Sequence, residues 1–185
     1  MKPWNIEICD VTLRDGEQTP GVSFSCEEKV GIARMLDTIG IEVIEAGFPA
    51  VSPHEKECVK AVANLGLDAR ICGFARAREQ DVATAIDCNV DMVSIFIPTS
   101  ELHVRLKFKK TREQVLDDSL GIIDYAMDHG VQVRFAAEDA SRTDLPFLKE
   151  VYRRASEHGA VLMSFDDTVG CLIPSEMQRT MSELV

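Results

Sequence analysis

Asp10-Val-Thr-Leu-Arg-Asp-Gly-Glu-Gln-Thr-Pro-Gly21 runs from the end of an apolar segment into a polar turn. The segment at 6–13 has the β-rich composition of a strand. In a dinucleotide-binding α/β fold the turn after the first strand carries a G-x-G-x-x-G run, because only glycine lets the backbone approach a pyrophosphate closely. Here Leu13-Arg14-Asp15-Gly16-Glu17-Gln18 stands instead, which counts against that fold.

Outward from this stretch, short apolar runs alternate with longer segments of helical period. Strands are predicted at 6–13, 43–46, 69–74, 92–97, 131–136 and 161–166. Helices are predicted at 25–39, 53–65, 79–88, 112–129, 144–158 and 174–184. Such alternation predicts βαβ units and a parallel sheet. Helix starts are punctuated by Ser25 with Glu28 three residues on, and by Ser52 before Pro53. Gly40, Gly66, Gly130 and Gly159 follow helix ends, where a left-handed residue closes the last turn. Six units without a shift in composition fit a doubly wound sheet, or a (β/α)8 barrel of which the first six units are present. A complete barrel takes about 250 residues.

The 185 residues carry 20 basic and 31 acidic side chains, a net charge of -11. This argues against nucleic acid and anionic membranes as partners. No run approaches the roughly 20 apolar residues of a membrane span, and Met1–Glu7 lacks a signal-peptide apolar region, so a cytoplasmic protein is expected. Six cysteines without a C-x-x-C pair read as reduced thiols filling core space, with neither a disulfide nor a zinc site expected. His129 and His158 precede glycines at helix ends, a structural position, and His54 reads as solvent-facing at a helix start.

Active sites of parallel α/β folds gather at the C-terminal ends of the strands. Those ends are polar here: Asp10, Arg14, Asp15, Glu17 and Gln18; Glu45; Thr99 and Ser100; Arg134, Glu138, Asp139 and Arg142; Asp166, Asp167 and Thr168. Carboxylate oxygens suit a hard divalent cation, and a guanidinium beside them suits developing oxyanion charge. Singly, each residue also has a plain reading as a cap, a solvated loop residue or an ion-pair partner. His103 lies in a predicted loop rich in Arg105, Lys107, Lys109, Lys110 and Arg112, a basic run that fits either an anionic substrate or a solvated loop.

The Asp10–Gly21 string resembles the signature of the metallolyase barrel family that includes the homocitrate, isopropylmalate and citramalate synthases and, more distantly, hydroxymethylglutaryl-CoA lyase. The resemblance continues in order through Ile44-Glu-Ala-Gly-Phe-Pro49, Ile97-Pro-Thr-Ser100, Ala137-Glu-Asp-Ala-Ser-Arg142 and Asp166-Asp-Thr-Val-Gly170. It implies a TIM (β/α)8 barrel, with residues 1–185 as the N-terminal part of one catalytic domain lacking strands seven and eight. It also implies a metal-dependent acyltransferase that condenses acetyl-CoA with a 2-oxo acid, using Mg²⁺, Mn²⁺ or Zn²⁺. Asp15 then matches the metal-binding acid, Arg14 the arginine beside the oxo-acid carbonyl and Gln18 a substrate-contacting glutamine. Glu138 matches a pocket glutamate with an acid/base role, and Thr168 the threonine that hydrogen-bonds the oxo-acid carboxylate.

Arg134 matches the arginine that meets the distal carboxylate of 2-oxoglutarate; its other reading is a strand arginine paired with Glu138 or Asp139. Two positions depart from the resemblance: Ala136 replaces a common serine, and Phe74 replaces a histidine of lysine-pathway homocitrate synthases. Pyruvate and 2-oxoisovalerate therefore stay open beside 2-oxoglutarate. A C–C lyase and an inactive barrel module are the alternatives to the synthase, with Glu17-Gln18 favouring the synthase. The family's His-x-His pair is not in these residues, so the chain alone is expected to bind metal weakly and to be inactive. With strands seven and eight absent, an open six-stranded parallel sheet is expected, or one whose edges on strands one and six are covered by a partner; a homodimer is also expected. Arg14→Ala is expected to stop turnover and leave the fold intact.

Overall fold

A computed structural model describes residues 6–184; residues 1–5, part of the stretch read for a signal peptide, lie outside the described residues. Six strands are present, β1 Cys9–Asp10, β2 Val43–Gly47, β3 Arg70–Arg76, β4 Met92–Pro98, β5 Gln132–Glu138 and β6 Leu162–Phe165. They are parallel and hydrogen-bonded in sequence order, β1-β2-β3-β4-β5-β6. A doubly wound sheet reverses its strand order at a switch point. Consecutive order without reversal is that of successive (β/α) units of a barrel, so the barrel reading holds over six units.

The chain divides into two compact units, one of residues up to Ala75 with Glu79–Ser94, the other of Arg76–Arg78 with the residues from Ile95 on. In the first, helices α1 Cys26–Thr38, α2 Pro53–Ala63 and α3 Glu79–Ile86 cover strands whose side chains are almost wholly apolar, as parallel strands buried on both faces require. All of β2 is buried, Glu45 included. The second unit holds α4 Glu101–His103, α5 Arg112–Asp128, α6 Leu145–Glu157 and α7 Pro174–Leu184. Phe135, Ala136 and Ala137 of β5 are fully buried there, while Val161 just before β6 and Leu162 at its start stay exposed.

The helix starts follow local chemistry. Ser25 and Glu28 form the expected capping box, Ser52 accepts the Glu55 N–H with Pro53 behind it, and Thr111 with Gln114 forms a second box. Gly40 and Gly130 adopt φ of 84° and 75°, left-handed values that permit the helices before them to close. β1 is two residues long where eight were predicted, because the chain after Asp10 turns at once: the N–H groups of Arg14, Asp15 and Gly16 all reach the carbonyl of Val11. The predicted basic loop is instead helical, α4 followed by a π-helix at Val104–Phe108 that ends on Lys109 at φ 54°. No helix among the described residues is long and apolar enough to cross a membrane.

The expectation that all cysteines are reduced is corrected. Cys26, first residue of α1, and Cys58, in the middle of α2, are joined as a disulfide with Cα atoms 4.7 Å apart. The pairing spans 32 residues and arises because α1 packs on α2, which no local spacing announces. Cys9, Cys72, Cys88 and Cys171 are free thiols.

Candidate active site

In the first unit the turn after β1 presents Arg14, which is only partly exposed and held on three sides. Its Nε donates to Glu45 Oε2 at 2.7 Å, its Nη1 donates to Asp15 Oδ1 at 2.9 Å, and its guanidinium lies 4.1 Å from the centre of the Phe74 ring. Phe74 meets Phe48 edge-on at 5.7 Å. A guanidinium locked by a buried carboxylate and an aromatic face loses little entropy when it meets a ligand. Asp15 is mostly exposed, with 58% of its side chain open to solvent, and so offers a hard oxygen to a cation. Gln18 is exposed and lines, with Arg14, a cavity of about 390 Å³ whose wall also includes Glu17, Phe48, His54 and Glu55.

Beneath that cavity is a charge cluster the sequence reading did not find. Lys29 is fully buried, yet its Nζ reaches Glu17 at 2.8 Å, Glu55 at 2.7 Å and the Leu13 carbonyl at 3.2 Å. A buried lysine persists only when fully paired. Burial pushes the Glu17 carboxyl up, but hydrogen bonds from Lys29 and the Phe24 N–H outweigh it and hold the group below its ordinary range. Glu17 thus braces the turn and fixes where Arg14 and Gln18 sit. The signal was the i, i+4 spacing of Lys29 with Ala33, the other buried residue of α1.

In the second unit the end of β5 supplies Arg134, Ala136 and Glu138 on one side of the strand, by the two-residue period. Arg134 is half-buried. Glu138, also half-buried, faces Lys107 Nζ at 3.4 Å. Asp139, at a left-handed φ of 62°, is fully buried and takes two hydrogen bonds from Arg142, 2.7 and 2.8 Å long. Burial raises its proton affinity, but Arg142 and the Ser100 hydroxyl outweigh this and hold its carboxyl below the usual aspartate range. Thr168 is exposed and its Oγ1 accepts the Asp139 N–H at 2.9 Å, so this hydroxyl also braces the loop after β5. His103 Nδ1 is buried 3.6 Å from Asp139 Oδ2 and makes no hydrogen bond.

The basic run is largely neutralised locally. Lys110 pairs with Asp118, Arg112 with Glu101 and Asp144, Arg105 with Glu101, and Lys107 with Glu138. This is the solvated, ion-paired reading of that segment. The expectation that Arg14 contributes little to the fold is likewise corrected, because it is the ion-pair partner of a fully buried glutamate.

Strand order and strand-end chemistry together define a barrel-type α/β scaffold with an arginine and a carboxylate on the first turn. Residues 5–185 match the HMGL-like family, and the chain belongs to that family. It is 52% identical over 184 residues to the homocitrate synthase AksA of Methanosarcina acetivorans, covering 99% of this chain and 45% of that protein. It is 50% identical over 182 residues to the 2-isopropylmalate synthase of Methanocaldococcus jannaschii, covering 98% of this chain and 35% of that protein. The chain thus spans less than half the length of these relatives. The crystal structure of the HMG-CoA lyase of Bacillus subtilis superposes with a TM-score of 0.84 at 18% identity, over 98% of this chain and 64% of that one; it shares the fold.

Proposed function

We propose that the protein bearing this chain condenses acetyl-CoA with a 2-oxo acid in a Claisen-type reaction. The observation that carries this reading is the fixed Arg14 beside an exposed Asp15 at the end of β1, within a chain about half identical to two synthases that differ in product. Arg14, oriented by Glu45 and Phe74, meets the keto oxygen and offsets the charge that develops there. Gln18, on the same cavity, orients the acid. Asp15 fits a divalent cation as one hard oxygen ligand of a larger set, and Mg²⁺, Mn²⁺ or Zn²⁺ bound there would polarise the keto group.

Glu138 takes part in proton transfer, with Lys107 Nζ 3.4 Å from its carboxylate. Loss of a proton from the acetyl methyl gives the enolate, which forms the new C–C bond at the keto carbon. Water then cleaves the thioester and releases coenzyme A. Thr168 hydrogen-bonds the oxo-acid carboxylate, and Arg134 reads a second carboxylate on the acid, which favours 2-oxoglutarate over 2-oxoisovalerate or pyruvate. A guanidinium fork matches a carboxylate in two parallel bonds. The two units belong to one catalytic domain, acting in the cytoplasm as a homodimer. Assaying coenzyme A release with each of the three acids tests the reading: release that depends on one of them is expected, and release with none would overturn it.

A further inference from the structure

We propose that Cys26, Cys58 and His54 form a site for a thiophilic divalent metal, zinc by chemical class, which is filled when the two cysteines are reduced. The three ligand atoms lie within 4.8 Å of one another. His54 and Cys58 are four residues apart on α2, so they share one helix face, and Cys26 comes to them from the first turn of α1.

The distance from Cys58 Sγ to His54 Nε2 is 3.6 Å. Two ligands of one tetrahedral zinc, with Zn–S of about 2.3 Å and Zn–N of about 2.0–2.1 Å, stand roughly 3.6 Å apart. That pair is therefore already set for coordination. The sulfurs, bonded to each other here, must part to roughly 3.8 Å to share the ion. Reduction by a dithiol delivers two electrons and two protons to the S–S bond, and the dithiol itself ends as a disulfide. Each thiol then gives up its proton on binding the metal, and the two thiolates balance the charge of a divalent ion. Cys26 is the first residue of α1, where the helix dipole favours negative charge. Cys58 is buried, Cys26 partly so and His54 exposed, so the fourth position opens toward solvent beside His54. Two thiolates and one imidazole select a soft or borderline cation, unlike the hard oxygen of Asp15.

The test uses the full chain, reduced anaerobically with a dithiol, freed of small molecules and titrated with Co²⁺ as the spectroscopic stand-in. The expected result is one equivalent of cobalt with a thiolate-to-cobalt charge-transfer band, displaced by Zn²⁺. The band should be lost in Cys26→Ser and Cys58→Ser, and His54→Ala, at an exposed position, should weaken retention while keeping the fold. Oxidation by a low-molecular-weight disulfide, which is reduced to two thiols, should remove two protein thiols and expel the metal. A reduced chain without the band, or a band intact in both serine variants, would overturn the proposal and leave a disulfide cross-link alone.

Discussion

Arg14 serves both chemistry and fold, and its two tasks separate experimentally. In the complete protein, Arg14→Ala should lower turnover by about 10²–10³-fold, the usual cost of losing one preorganised charge stabiliser. It should also destabilise, because Glu45 loses the cation beside it in a fully buried position. Breaking a buried pair costs about 3–5 kcal/mol, and since Glu45 has further interactions the loss should fall at the low end. Denaturant melts beside kinetics check both; an unchanged melt would mean that the pair is not coupled to folding. At Arg134, replacement by Ala should impair use of 2-oxoglutarate more than that of 2-oxoisovalerate, and equal losses in kcat/KM would assign it a structural role. Asp139 provides a pH signature. Its folded carboxyl titrates below the ordinary value near 3.8, so its stabilisation is complete above that value and fades as pH falls through the lower folded one. The melting-temperature gap between wild type and Asp139→Asn should therefore be widest near neutrality and shrink below pH ~4; a gap independent of pH would refute this.

Helix ends were legible in the sequence because capping is a matter of three or four adjacent residues, as Ser25 with Glu28 shows. Strand positions were legible where burial on both faces gives a continuous apolar run, as in β4. What lay hidden depends on contacts between elements: the Lys29 cluster joins the turn after β1, α1 and α2, and the Cys26–Cys58 bond joins the same two helices. Of the proposed site residues, Arg14 and Asp15 were found by motif, whereas Glu45 as the anchor of Arg14 and Phe74 as its stacking face needed the packing of β2 and β3. Lys29→Ala should cost about 3–5 kcal/mol, with Glu17 and Glu55 left to repel one another, and Lys29→Met less; a loss under 1 kcal/mol in urea titration would show the cluster to be well solvated. Gly47 is a second hinge of this packing. A Cβ there would meet Glu55 Oε1 at 2.0 Å, at a φ of 153°. Gly47→Ala should therefore displace Glu55 from Lys29 and from the Phe48 N–H, and lower the melting temperature.

Across the chain, the six consecutive parallel strands and their polar ends belong to an HMGL-like scaffold, and the proposed chemistry rests on them. For the cation proposed beside the keto group, Asp15 is the one candidate ligand named among the described residues, and the sequence contains no His-x-His. The 185 residues alone should thus bind Mg²⁺ or Mn²⁺ weakly and show no condensation, which calorimetry and a thiol-release assay can check together. For the complete protein, the decisive measurement is coenzyme A release from acetyl-CoA in the presence of a divalent metal and, in turn, 2-oxoglutarate, 2-oxoisovalerate and pyruvate. Release that requires one of the acids, with one C–C bonded product per thiol, is the predicted result. No acid-dependent release, with cleavage of a hydroxyacyl-CoA to acetyl-CoA in its place, would contradict it.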